Sequence, residues 1–138
     1  MKWIHILWPS YTPATRYVLM ERYLPAEEAC VFKEDLACLE GRNNLTYLMD
    51  GWEDAQRRSI YGSMVAEVSQ FPVVLGLKEL TGVQGTADTL IEVANHALLK
   101  KSIKPTSIIA VCTDNPTTMQ AFRKRWIMQH TWILVRLT

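Results

Sequence analysis

The 138-residue sequence predicts an α/β domain: two N-terminal helices, then one mixed five-stranded sheet in which an antiparallel meander precedes parallel crossovers. Three observations predict it. Residues 26–40 and 86–101 carry apolar side chains every three to four positions, the helical period. Residues 59–77 alternate or are rich in β-branched residues, the habit of strands. Ile108-Ile109-Ala110-Val111-Cys112 is a nearly continuous apolar run, as in a strand buried on both faces.

Taken in order, Pro9 and Pro13 bracket an extended segment, and Ala14 to Tyr23 and Ala26 to Glu40 read as two helices separated at Leu24-Pro25. In the second, Ala29, Phe32, Leu36 and Leu39 share a face, and Gly41 ends it. Leu45 to Met49 is a short first strand, Ser59 to Val68 a second and Phe71 to Leu77 a third, the last two close enough to form a hairpin around Ser69-Gln70. From Thr86, a capping residue, Ala87, Leu90, Ile91, Ala94, Ala97 and Leu98 form one helical stripe, with Asp88 in its first turn and Lys100-Lys101 in its last. After the fourth strand, Asn115-Pro116 opens a helix with Met119, Phe122 and Trp126 on its stripe, Asn115 being the cap, and Trp132 to Leu137 is a fifth strand.

Composition narrows the class. With 49% hydrophobic and 21% charged residues, and six Gly and six Pro, the chain is neither disordered nor collagen-like. No apolar run approaches the roughly 18 residues of a membrane span, and Trp3 to Trp8 is too short for a signal-peptide core, so a nuclear or cytoplasmic protein without membrane contact is expected. Cys30, Cys38 and Cys112 are an odd number at spacings that match neither a zinc ribbon nor a redox pair.

The net charge of +1 hides an asymmetry. Residues 1–95 carry 8 Lys+Arg against 13 Asp+Glu, whereas residues 96–138 carry 7 Lys+Arg and one acid, Asp114. Such a basic end reads either as a solvated face or as a nucleic-acid footprint.

Two acids stand at strand ends. Asp50 follows the first strand and Asp114 the fourth. If the meander grows from one side of strand one and the crossovers from the other, strands one and four are parallel neighbours. Both carboxylates then emerge at one end, about 4.8 Å apart plus side-chain reach, a geometry suited to a shared divalent metal. The competing readings are a loop after Asp50-Gly51 and a helix cap at Asp114, but Asn115-Pro116 takes the cap.

The same stretches carry a family likeness. Asp50-Gly51-Trp52 followed by Arg58-Ser59 and Tyr61-Gly62, then Leu80-Thr81-Gly82 with Thr86-Ala87, then Cys112-Thr113-Asp114-Asn115-Pro116 and Met119 resemble the core blocks of hAT-type transposases, in particular the fungal transposase-like domain. Pro9-Ser10-Tyr11, Pro13 and Arg16-Tyr17-Val18-Leu19 resemble the segment upstream of that core. The resemblance implies a ribonuclease-H-like fold and DDE-type chemistry, in which three acids hold Mg²⁺ or Mn²⁺ for phosphodiester cleavage and strand transfer in DNA recombination. Asp50 matches the first acid and Asp114 the second.

The family's third acid, a Glu on a later helix, has no counterpart up to Thr138. The expectation is therefore a truncated transposase core, residues 45–138, with residues 1–44 as a helical segment packed on it in one compact domain, holding a metal weakly and inactive alone. The alternative is a transposon-derived, non-enzymatic module that binds DNA or protein. A nucleotide-binding α/β domain lacks its Gly-rich phosphate loop. Arg57, Arg58, Arg123 and Lys124 are the candidate nucleic-acid contacts, each with a solvated surface role as competitor. A sheet face left uncovered by the family's later helix, together with five tryptophans, leads us to expect a homo-oligomer.

Overall fold

The computed structural model describes residues 10, 12–83, 85–114 and 116–130 and the backbone of 134–135. Trp3, Trp8, Pro9, Tyr11, Asn115, Trp132 and the ends of the expected fifth strand lie outside the described residues. The chain divides into two compact units, Met1–Glu34 and Asp35–Thr138.

In the first unit the Thr15 side chain accepts a hydrogen bond from the Val18 N–H at 3.3 Å and so caps the helical turn Arg16–Val18. A π-helical segment, Leu19–Tyr23, follows and leads directly into α1, Leu24–Leu39. This corrects the expected pair of helices. Pro25 lacks an N–H and its ring crowds the carbonyl four residues back, which ordinarily breaks a helix. Here the turn before it widens, the Leu24 N–H reaching the Leu19 carbonyl five residues back, and the helix continues through the proline.

The second unit is built on a mixed sheet of β1 (Leu45–Glu53), β2 (Ser59–Ala66), β3 (Val73–Glu79) and β4 (Ile108–Thr113). Their order is β3-β2-β1-β4, and the two-residue β5, Leu134–Val135, pairs parallel to β4 at Ala110 and Val111. β1 and β2 are antiparallel, as are β2 and β3, whereas β1 and β4 are parallel. The expected adjacency of strands one and four is thus present.

β1 is longer than its apolar run suggests. It continues past Met49 through Asp50-Gly51-Trp52-Glu53, pairing with β2 down to Glu53↔Ser59. Antiparallel hydrogen bonds hold these residues extended although they lack the alternation that marks a strand in sequence.

Two helices cover one sheet face: α2 (Ala87–Lys100) and α3 (Thr117–Gln129). Thr86 caps α2, its hydroxyl accepting from the Thr89 N–H at 3.2 Å. The predicted stripe, Ala87, Leu90, Ile91, Ala94, Ala97 and Leu98, is buried. In α3 the cap position is held by Pro116, one residue later than expected, with no side-chain cap bond. Met119, Phe122 and Trp126 are buried, and the Trp126 ring stacks on Tyr47 of β1 with centroids 5.7 Å apart and planes 10° apart. The buried Tyr47 hydroxyl meets Ser63 Oγ of β2 at 2.8 Å. At the other end of the unit Lys101, 6% exposed, donates to Asp35 at the end of α1 over 2.6 Å.

Candidate functional site

Parallel pairing between β1 and β4 ends at Met49↔Thr113. Asp50 and Asp114 are the next residue on each chain, so both acids stand at the carboxyl end of one parallel pair. That is where open α/β sheets present ligands. Because side chains alternate along a strand, Asp50 lies on the face opposite buried Tyr47 and Met49, the face that α2 and α3 leave uncovered. There both acids line one shallow cleft of about 590 Å³, floored by Leu48, Met64 and Cys112 and walled by Trp52 and Leu77. Both are exposed. Asp50 Oδ1 accepts from the Gly51 N–H at 2.9 Å, which turns one oxygen back toward its own backbone.

Two cross-strand aromatic–glycine contacts frame Asp50. Gly62 pairs with Asp50, and the Trp52 ring lies over it: a Cβ at residue 62 would stand 3.1 Å from Trp52 Cζ3. On the opposite face Gly51 pairs with Tyr61, whose ring lies over the glycine. The spacing Asp-Gly-Trp to Tyr-Gly therefore has a physical cause, two glycines each covered by an aromatic ring from the neighbouring strand.

The four basic candidates have separate fates. Arg58 donates through Nε to Asp54 Oδ2 at 2.7 Å, and its Nη2 lies 2.6 Å from the same oxygen. Asp54 also accepts from the N–H groups of Gln56 and Arg58, and these bonds hold its carboxyl below the usual range. Arg58 thus closes the β1–β2 loop. Arg57, beside it, adopts a left-handed backbone (φ 58°) and is exposed. Lys124 is exposed on α3.

Arg123 corrects the expectation of a phosphate contact, because it is 4% exposed. Its Nη1 donates to Thr113 Oγ1, to the Asp114 carbonyl at 2.7 Å and, longer, to the Thr113 carbonyl at 3.4 Å. A signal existed in sequence. Arg123 is four residues after Met119 and three before Trp126, on the apolar stripe itself, and an arginine there must find acceptors in the interior.

Two more cations of the basic third have carboxylate partners: buried Lys101 pairs with Asp35, and exposed Arg125 with Asp88 across α2 and α3. The cysteines are free, Cys30 and Cys38 exposed and Cys112 half-buried. The Glu34 carboxylate beside Cys30 pushes that thiol's pKa up, away from thiolate reactivity.

Among the described residues no three His, Cys, Asp or Glu side chains gather as a ligand set. Two carboxylates on an open cleft nevertheless fit Mg²⁺, which binds through one or two carboxylates and completes its octahedron with waters and substrate oxygens. No helix among the described residues is long and apolar enough to cross a membrane. No family model matches the chain, and no curated protein matches it.

Proposed function

We propose that the chain is the ribonuclease-H-like catalytic core of a hAT-type DNA transposase, holding Mg²⁺ or Mn²⁺ between Asp50 and Asp114 and inactive in strand transfer on its own. One observation carries this reading: Asp50 and Asp114 are the residues immediately beyond the last pair of the parallel β1–β4 ladder, Met49↔Thr113, and line the same cleft. The strand order β3-β2-β1-β4, with Leu134–Val135 parallel to β4 as a fifth strand, supports the fold assignment.

The chain's own residues have defined tasks in this reading. Asp50 and Asp114 supply the charge that holds the cation; Trp52 and Leu77 wall the cleft; Arg57, exposed in the β1–β2 loop, would contact a phosphate backbone. A bound divalent ion would activate the attacking water or hydroxyl and stabilise the leaving oxygen. The two carboxylates that line the cleft among the described residues are too few for a symmetrical two-metal arrangement. DNA is the substrate class, and a second copy of the chain is the partner expected to cover the open sheet face.

The test is a Mn²⁺ titration followed by thermal unfolding, beside a DNA-nicking assay. Mn²⁺ is expected to raise the melting temperature of the wild type and leave Asp50→Asn/Asp114→Asn unmoved, with no nicking by either. A wild type that Mn²⁺ does not stabilise rejects the metal site.

A further inference from the structure

We propose that Arg123 is the positioning residue of the acidic pair, clamping the main chain at Thr113–Asp114 so that the Asp114 carboxylate is presented to the cleft beside Asp50. This rests on the metal-site reading above.

Three observations carry it. First, the parallel ladder stops at Met49↔Thr113, so beyond that register β1 no longer holds the chain of β4, and carbonyls there need donors from elsewhere. Second, those donors converge from α3. Arg123 Nη1 reaches the Asp114 carbonyl at 2.7 Å, and the Thr113 hydroxyl, itself accepting from Arg123, donates to the same carbonyl at 2.8 Å. The peptide that leaves Asp114 is therefore held by two donors, and with it the direction of the Asp114 Cα–Cβ bond.

Third, the clamp is interior. Arg123 is 4% exposed and Thr113 6% exposed, whereas Asp114 beside them is exposed. Taking a guanidinium out of water is costly, and the converging oxygens of Thr113 and Asp114 offset it. These bonds leave one nitrogen, Nη1, which the rigid guanidinium plane holds in place; the ammonium of lysine, on a flexible stem, is not held there in the same way. The arrangement joins a helix to the acid of the pair that lies beyond the last pair of the β1–β4 ladder.

The experiment compares wild type, Arg123→Lys, Thr113→Val and Asp50→Asn/Asp114→Asn. Mn²⁺ binding is followed by the electron paramagnetic resonance of free Mn²⁺, and near-ultraviolet circular dichroism checks that each protein is folded. Arg123→Lys keeps the positive charge and removes the rigid guanidinium plane that holds Nη1 against its acceptors; its Mn²⁺ affinity is expected to fall at least tenfold. Thr113→Val removes only the hydroxyl link and is expected to weaken binding about threefold, so the clamp stays testable should Arg123→Lys not fold.

Hydrogen exchange supplies a readout independent of metal. Both variants are expected to exchange faster in the peptide containing Thr113 and Asp114 while the strands β1 and β2 keep their protection. Wild-type Mn²⁺ affinity in a folded Arg123→Lys, or in Thr113→Val where that alone folds, overturns the positioning role, as does unchanged exchange at Thr113–Asp114. Absence of Mn²⁺ binding by the wild type instead rejects the metal site, and exchange alone then decides whether Arg123 fixes the Asp114 main chain.

Discussion

The ring of Tyr61 lies across the backbone of Gly51, so close that a Cβ at residue 51 would stand 2.7 Å from Tyr61 Cε1. The two residues are cross-strand partners, and the same ring reaches Gly85, its hydroxyl 3.0 Å from where a Cβ there would stand. Gly51 is also the neighbour whose N–H binds the Asp50 carboxylate. One close contact thus fixes both the β1–β2 pairing and the backbone that carries the first acid.

Gly51→Ala is therefore expected to destabilise the fold by about 1–3 kcal/mol, the range for forcing extra volume into packed structure. Denaturant unfolding measures it. Tyr61→Val in the same chain should relieve the clash, giving a coupling of about 1 kcal/mol or more in a double-mutant cycle. Additive effects of the two changes would reject the contact as the cause.

The Lys101–Asp35 pair ties the end of α1 to the turn after α2 over 2.6 Å, with the lysine side chain 5% and the aspartate 24% exposed. Breaking a buried pair from one side leaves the other charge in poor solvent. Asp35→Ala is expected to cost about 3 kcal/mol, the lower end for such pairs because Asp35 keeps some water. Lys101→Met, which fills the site with apolar volume, should cost less. Chemical denaturation of both variants checks the order, and a costlier Lys101→Met would contradict it.

His130, at the end of α3, meets the Trp126 ring edge-on with centroids 5.1 Å apart, and burial lowers its pKa. The fold therefore favours the neutral imidazole. Its contribution to stability is full above the unfolded value of about 6.5 and is lost as pH falls through the folded value, because the unfolded chain then binds the extra proton. Unfolding at pH 7.5 and pH 5.5 should show a larger loss for wild type than for His130→Gln. Equal losses would assign the pH dependence to other groups.

Much of this protein is legible in the sequence because much of it is local. The helical stripe of α2 and the apolar run of β4 are periodic or contiguous patterns, and burial follows such patterns directly. That strands one and four are parallel neighbours, with Asp50 and Asp114 just past their pairing, was legible too, because strand order restricts which residues can meet. The extent of β1 was not legible: Asp50-Gly51-Trp52-Glu53 are strand because β2 supplies their partners, which no local pattern of those residues announces.

What the sequence determined by itself was the order of elements, the apolar faces that drive them together and the presence of an acid directly after the apolar run of each of two neighbouring strands. The tertiary structure decided the fate of charges and of the backbone around them. Arg123 and Lys124 are adjacent in sequence, yet one is interior and the other exposed. The helix passes through Pro25 because the preceding turn widened. Hydrophobic burial depends on how much apolar surface a stretch carries, a property readable along the chain. Whether a buried charge is tolerated depends on which acceptors lie within about 3 Å of it, and that only the fold supplies.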